Sequence, residues 1–92
     1  MKYPALIDGE AGTFGVVFPD LPGCVAMGST TDEALRNAQE ALRDWMDSME
    51  EAQQYVHAPS PAEDIDVPPD STLVSIALVK DSRDKQVVFP AT

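Results

Sequence analysis

The sequence predicts an α+β fold in which three antiparallel strands, one long helix and a fourth strand follow one another in a single domain, residues 1–92. Two β-rich stretches flank a long stretch with apolar residues at every third or fourth position. The connections within the first β-rich stretch are too short for crossovers, so its strands must form an antiparallel meander.

We predict that the meander consists of residues 2–8, 13–19 and 24–27, and that residues 72–79 add a fourth strand to the sheet. The fourth strand follows the helix, and a right-handed crossover would place it parallel to a strand of the meander.

The turn between the second and third strands has a defined chemistry. Pro22 fixes φ at the first central position, and Gly23 permits the positive φ that a type II turn requires at the second. Cys24, the only cysteine of the chain, follows this turn, and we expect it to be a buried structural thiol.

The helix is predicted over residues 31–53, and one of its faces should pack on the sheet. Thr30 and Glu33 have the spacing of a capping box, with Thr30 as the N-cap. We expect Trp45 to be largely buried. The predicted apolar stripe comprises Leu35, Ala38, Leu42, Trp45 or Met46, and Met49.

The order of these pieces is more specific than any one of them. A Pro-Asp-x-Pro-Gly turn at 19–23, a Gly-x-Thr cap at 28–30 and a Glu-Ala-x-x-Asn-Ala helix start at 33–38 resemble the HicB-like antitoxin family. The resemblance covers the first half of the chain, whereas the second half matches only in its order of elements. It implies a partial ribonuclease H-like fold, and a small acidic protein that neutralises a small basic RNA-cleaving toxin of the HicA-like kind.

The charge of the chain favours a basic partner over nucleic acid. Sixteen acidic residues against six basic ones give a formal net charge of −10, which opposes direct binding to phosphates. We predict partner contacts on the acidic helix face and at an exposed turn. The candidate residues are Glu40, Asp44, Asp47 and Glu51 on the helix, and Asp20 and Leu21 in the turn. The alternative is that the acids only confer solubility and that Leu21 packs against the sheet.

A metal-dependent ribonuclease H-like nuclease is the rival function, because such enzymes hold two metal ions with several carboxylates. The candidates would be Asp8, Asp20, Glu33 and Glu40, but each has a simpler explanation. Asp8 suits a hairpin turn, Asp20 can bond to nearby turn amides, and the other two fit the cap and the polar helix face. We therefore expect no enzyme activity, metal or cofactor. A stand-alone regulatory or structural module without a toxin remains open.

The remaining stretches are less informative. Residues 57–71 hold four of the eight prolines and form a connection, while residues 86–90 could be a short strand or a docked tail. Only residues 80–92 follow the fourth strand, too few for a separate DNA-binding domain of the kind many family members carry. The sequence has no membrane span or signal peptide, and one cysteine is compatible with a cytoplasmic protein.

We also predict a homodimer or higher oligomer. Strand four is apolar on both of its faces, and one helix can cover only one face of the sheet. The contact is expected near strand four or near residues 87–89.

Overall fold

A computed structural model gives the structure of residues 2–78. Two predictions lie outside these described residues: the last position of strand four, and the strand or docked tail at 86–90.

The α+β fold is confirmed, with the predicted order of strands and helix. All neighbouring strands are antiparallel, and the strand order across the sheet is β3-β2-β1-β4. The elements are β1 (Lys2–Glu10), β2 (Thr13–Val17), β3 (Val25–Gly28), α1 (Thr31–Ala52), a 3-10 turn (Ala62–Asp64) and β4 (Thr72–Ala77).

The expectation of a parallel fourth strand is wrong. β4 runs antiparallel to β1, with Ala77 opposite Lys2 and Thr72 opposite Ile7. The reason is the connection after α1, because it carries the chain back along the sheet before β4 begins. It starts near the beginning of β1, where the Tyr3 hydroxyl donates to the His57 carbonyl at 2.8 Å. The crossover rule would give a parallel β4 only if the next strand began where the helix ends, without a second passage along the sheet.

The predicted turn and helix cap are both present. Gly23 has φ +88°, and the Cys24 amide donates to the Leu21 carbonyl at 3.0 Å, which closes the type II turn. Thr30 Oγ1 accepts from the Glu33 amide at 3.0 Å. The Glu33 carboxylate reaches back to the amide of Ser29 at 2.6 Å, one residue before the N-cap.

The core lies between α1 and one face of the sheet. Leu21, Leu42 and Val16 are its largest fully buried side chains. Met46 is buried at 7% exposure, and Trp45 packs against the core but is less deeply buried than Met46. The two side chains are neighbours on the helix, and the position of Trp45 at the margin of the apolar stripe leaves part of its ring uncovered.

The other face of the sheet carries an apolar row that no helix within residues 2–78 covers. Val25, Val17, Leu6 and Leu73 stand in register across all four strands. Val17 is 45% exposed and Val25 57%, and Met27 beside them on β3 is 64% exposed. We call these five residues the open sheet face.

Candidate partner-binding surface

The motif residues of the helix start hold α1 against β3. Gly28 lies so close to the helix that an added Cβ would stand 2.4 Å from the Ala34 backbone nitrogen. The side-chain amide of Asn37 donates to the Met27 carbonyl at 2.8 Å. The Gly-x-Thr and Glu-Ala-x-x-Asn-Ala patterns therefore fix the angle at which the helix leaves the strand.

The opposite flank of α1 is tied to the other edge of the sheet. The Gln39 side-chain amide donates to the Ala77 carbonyl of β4 at 3.1 Å. Since β3 and β4 are the two edge strands, Asn37 and Gln39 fix the rotation of the helix about its axis. This fixed rotation determines which residues face away from the sheet.

The four acidic helix residues predicted as partner contacts form one stripe on that outer side. They are spaced four, three and four positions apart, which places them on one helix face, opposite the buried Ala38 and Leu42. Three are exposed and one is half-buried. We call this set the acidic stripe: Glu40, Asp44, Asp47 (the half-buried one) and Glu51.

Acidic residues outnumber basic ones around the stripe, where Arg43 is the one basic residue of α1 between Glu40 and Glu51. Arg36 pairs with Asp32 at 3.5 Å in the first turns of the helix, and the last turn of α1 contains no basic residue. The C-terminal half of the helix therefore presents a predominantly negative surface.

The turn residues predicted as partner contacts have structural roles instead. Leu21 is 0% exposed, so the expectation of an exposed apolar anchor is wrong, and the alternative in which it packs against the sheet is confirmed. The Leu21 amide donates to the Phe18 carbonyl at 3.0 Å, which folds the turn back over the core. The Asp20 carboxylate accepts from the amide of Ser60 at 2.8 Å and from its hydroxyl at 2.7 Å. Asp20 thus anchors a distant connection rather than bonding to nearby turn amides.

One feature of this surface is not predicted by the sequence analysis. An open cleft of about 630 Å³ lies beside the end of α1 and the turn, and Trp45, Tyr55 and Asp20 are among its lining residues. Tyr55 is 84% exposed, the largest value among the exposed large apolar residues of the part described. The sequence contained a signal for this exposed ring. Tyr55 follows the predicted helix within a polar stretch, where no apolar pattern indicates a core that could bury it.

The raised pKa values of two buried groups, Cys24 and Tyr3, do not favour either of them as a nucleophile. Cys24 is 2% exposed, and burial raises the pKa of its thiol to about 11, as expected for a structural residue. The pKa of Tyr3 is also raised, first by burial and then by the negative charge of Asp20 and by Tyr55. Within residues 2–78, no group of three or more His, Cys, Asp or Glu side chains is placed to hold a metal ion.

The candidate nuclease residues are accordingly dispersed in the fold. Asp8 is exposed near the end of β1, Glu33 is engaged at the helix cap, and Glu40 belongs to the acidic stripe.

Across residues 2–78, no helix has the length and apolar character that crossing a membrane requires.

Comparisons with known proteins agree with this fold. UPF0150 protein Ta0767 of Thermoplasma acidophilum is 44% identical over 50 residues, which cover 53% of this chain and 72% of that protein. Antitoxin HicB 2 of Photorhabdus laumondii is 35% identical over 60 residues, which cover 65% of this chain. The matched part spans only 43% of the length of HicB 2.

A solved structure of a HicA3 and HicB3 toxin–antitoxin complex contains a similar chain, with a TM-score of 0.69 and 26% identity. The match covers 84% of this chain and 96% of that one. A sequence model of the HicB-like antitoxin of bacterial toxin–antitoxin systems matches residues 3–86. The chain therefore belongs to the HicB-like antitoxin family.

Proposed function

We propose that this chain is an antitoxin that binds and neutralises a small, basic, RNA-cleaving toxin of the HicA-like kind. It acts by covering the toxin's surface and not by catalysis, in the bacterial cytoplasm. The acidic stripe of α1 is the observation that carries this proposal. An RNA-cleaving protein needs a positive surface to hold phosphates, and a row of carboxylates on a rigid helix complements such a surface.

The position of the acids along α1 supports a role outside folding. Glu51 of the acidic stripe lies in the last turn of α1, and that turn contains no basic residue. The helix dipole places a partial negative charge at this end, so carboxylates are disfavoured and lysine or arginine would stabilise the helix. Acids at a position where they weaken the helix are typical of a surface selected for binding.

The fold also fits this role. The antiparallel four-stranded sheet with one long helix supports the partial ribonuclease H-like arrangement that the family resemblance implies. A stand-alone module without a toxin would need no acidic stripe in this place. The nuclease alternative has no supporting observation, because the candidate carboxylates are engaged in the cap or dispersed over the described part of the chain.

An RNA-cleavage assay tests the proposal. The proposal expects the reading frame next to this chain to encode a small basic protein. That protein is the probe, incubated with a labelled RNA in the absence and presence of the chain. We expect the neighbouring protein to cleave the RNA and the chain to stop cleavage at stoichiometric amounts. The chain alone should leave the RNA intact with magnesium or manganese present. Undiminished cleavage by the neighbouring protein, or metal-dependent cleavage by the chain alone, would overturn the proposal.

We also propose that two copies of the chain associate through the open sheet face. The sequence predicted the contact near strand four or near residues 87–89, which lie outside the described residues. Ile76 of strand four is 6% exposed and belongs to the core. The exposed apolar area lies instead at Val17, Val25 and Met27. Packing sheet against sheet buries this area and leaves the two acidic helices on opposite outer sides, where their repulsion is small.

Sedimentation velocity at micromolar concentration tests the dimer. The chain should sediment as a dimer, and the double variant Val25→Lys, Met27→Lys should sediment as a monomer with an unchanged circular dichroism spectrum. Val67→Lys, at a 40% exposed position outside the open sheet face, is the matched control and should remain dimeric. A monomeric parent chain, or a dimer that survives the double substitution, would contradict the assignment.

A further inference from the structure

We infer that the cleft beside the end of α1 binds one cationic side chain, a lysine or an arginine, of the protein partner. This inference rests on the proposed function, because it takes the partner to be a basic protein. It adds a specific anchoring site to the general attraction that the acidic stripe provides. We call this cleft the aromatic cleft. Its lining residues are Pro19, Asp20, Pro22, Trp45, Met49, Gln54, Tyr55 and His57.

The size of the aromatic cleft suits a long side chain. Its volume of about 630 Å³ falls within the range of roughly 300–1,000 Å³ that is usual for small-molecule pockets. Two proline rings and Met49 supply apolar surface for the methylene groups of a lysine or arginine.

The chemistry of the walls selects a cation. The faces of Trp45 and Tyr55 carry the negative part of the aromatic quadrupole, which attracts ammonium and guanidinium groups. Each Asp20 oxygen accepts one hydrogen bond from Ser60, so lone pairs remain for a further donor. None of the described residues lining the cleft is a lysine or an arginine. The site therefore offers a carboxylate and two aromatic rings beside His57, and no lysine or arginine occupies it.

The exposure of Tyr55 points to burial in a complex. It is 84% exposed and lies just beyond the helix. Tyrosine and tryptophan are enriched among the residues that dominate protein interfaces, because they bury a large rigid surface and keep a polar group. A cationic side chain entering between Tyr55 and Trp45 would cover both rings.

The aromatic cleft lies at the C-terminal end of α1, beside the apolar stripe and away from the face of the acidic stripe. A partner that contacts both must therefore extend around the end of the helix. With a net charge of −10 on the chain, a positively charged group approaching this region is attracted from a distance and meets the aromatic cleft at the end of the helix.

The single tryptophan of the chain makes the test direct. Labelling with 5-fluorotryptophan places one fluorine at Trp45, whose resonance reports on the aromatic cleft. The probe is a capped glycine–arginine–glycine tripeptide, and its matched control replaces arginine by citrulline, which keeps the shape and removes the charge. We expect a saturable shift of the fluorine resonance with the arginine peptide, and an affinity about two- to fivefold lower with the citrulline peptide.

Variants at Tyr55 separate the ring from its surroundings. Tyr55→Ala should weaken arginine-peptide binding by about two- to fivefold, whereas Tyr55→Phe should retain it because the ring remains. Equal responses to the two peptides, or unchanged binding by Tyr55→Ala, would overturn the inference and identify a site that does not select cations. Such a failure is distinguishable from failure of the proposed function, because the RNA-cleavage assay would still show inhibition.

Discussion

The inner and outer faces of α1 carry different kinds of information. On the inner face, Ala34, Ala38 and Leu42 are 0% exposed and pack against the sheet. On the outer face, three residues of the acidic stripe are exposed and Asp47 is half-buried. The inner face therefore specifies the fold, while the outer face remains free to specify a partner.

The residues of the family motif lie almost entirely in the turn and where α1 meets the sheet, and not on the outer face of the helix. Gly28, Glu33 and Asn37 hold the strand and the helix together, and Gly23 shapes the turn. These residues identify the family because the fold requires them, and they contact the chain itself. The residues that would recognise a toxin lie between and beyond them, at positions where the fold allows many side chains. A family resemblance of this kind identifies the architecture more directly than the binding surface.

The largest expected effect separates a core residue from a surface anchor. Leu21→Ala should lower the free energy of unfolding by about 2–5 kcal/mol, because it removes a fully buried side chain and leaves a cavity. Urea denaturation followed by circular dichroism measures it. Val67→Ala, at an exposed position in the connection, is the control and should change stability by no more than about 0.5 kcal/mol. A loss below about 1 kcal/mol for Leu21→Ala would restore the interpretation of an exposed anchor.

The next effect concerns the strand–helix junction. Gly28→Ala should cost about 3 kcal/mol, because the new methyl group would meet the backbone of Ala34 and neither side can yield easily. Gly15→Ala is a matched control within the same sheet. Its methyl group would meet only the Asp8 carboxylate, at an ordinary contact distance of 3.6 Å, so stability should change little. Equal stabilities of the two variants would show that the close approach of β3 and α1 does not constrain the fold.

A third effect depends on pH and tests the burial of the turn. The folded state holds the Cys24 pKa at about 11, above its ordinary value of 9.0, so the folded protein binds the thiol proton more tightly than the unfolded chain does. This contribution is present in full below about pH 9 and is lost as the pH rises towards 11. It amounts to about 2–3 kcal/mol. Tyr3, whose pKa is also raised, adds a loss of the same sign at high pH.

Unfolding free energies measured between pH 8 and pH 11 check this expectation, with Cys24→Ala as the control. The parent chain should lose stability more steeply over this range than the variant, which retains only the contribution of Tyr3 and the other groups. Parallel profiles for the two proteins would show that the thiol does not titrate differently in the folded state.

Most of the fold follows from local signals in the sequence. Gly23 and Thr30 indicate a turn and a helix cap, because both features depend on local conformation and on few neighbouring residues. The direction of β4 does not follow in this way, because it depends on the path of residues 53–71, which contain few local signals. The choice between Trp45 and Met46 has a similar origin. Both side chains suit an apolar stripe, and only packing decides which of them is more deeply buried.

The candidate site was predictable only in part. The spacing of the acidic stripe follows from helical periodicity, so its four residues share a face as expected. The aromatic cleft was not predictable, because it brings together a turn, the helix end and the start of the connection. Leu21 was predicted wrongly for a related reason. A leucine in a turn is expected to be exposed, and only the packing of the folded chain shows that its side chain is buried in the core.

The central claim is that the acidic stripe recognises a basic toxin, and association kinetics test it most directly. The stripe variant reverses four charges: Glu40→Lys, Asp44→Lys, Asp47→Lys and Glu51→Lys. The control variant reverses four exposed acids of the connection: Glu63→Lys, Asp64→Lys, Asp66→Lys and Asp70→Lys. Each set changes the formal net charge from −10 to −2, because each reversal adds two positive charges.

The association rate with the small basic protein encoded next to this chain is measured for each variant at several salt concentrations. For the stripe variant we expect a rate at low salt that is reduced by about tenfold or more, with a flattened salt dependence. The control variant should stay closer to the parent chain, since net charge alone acts equally in both. Equal association rates for the two folded variants would contradict the account.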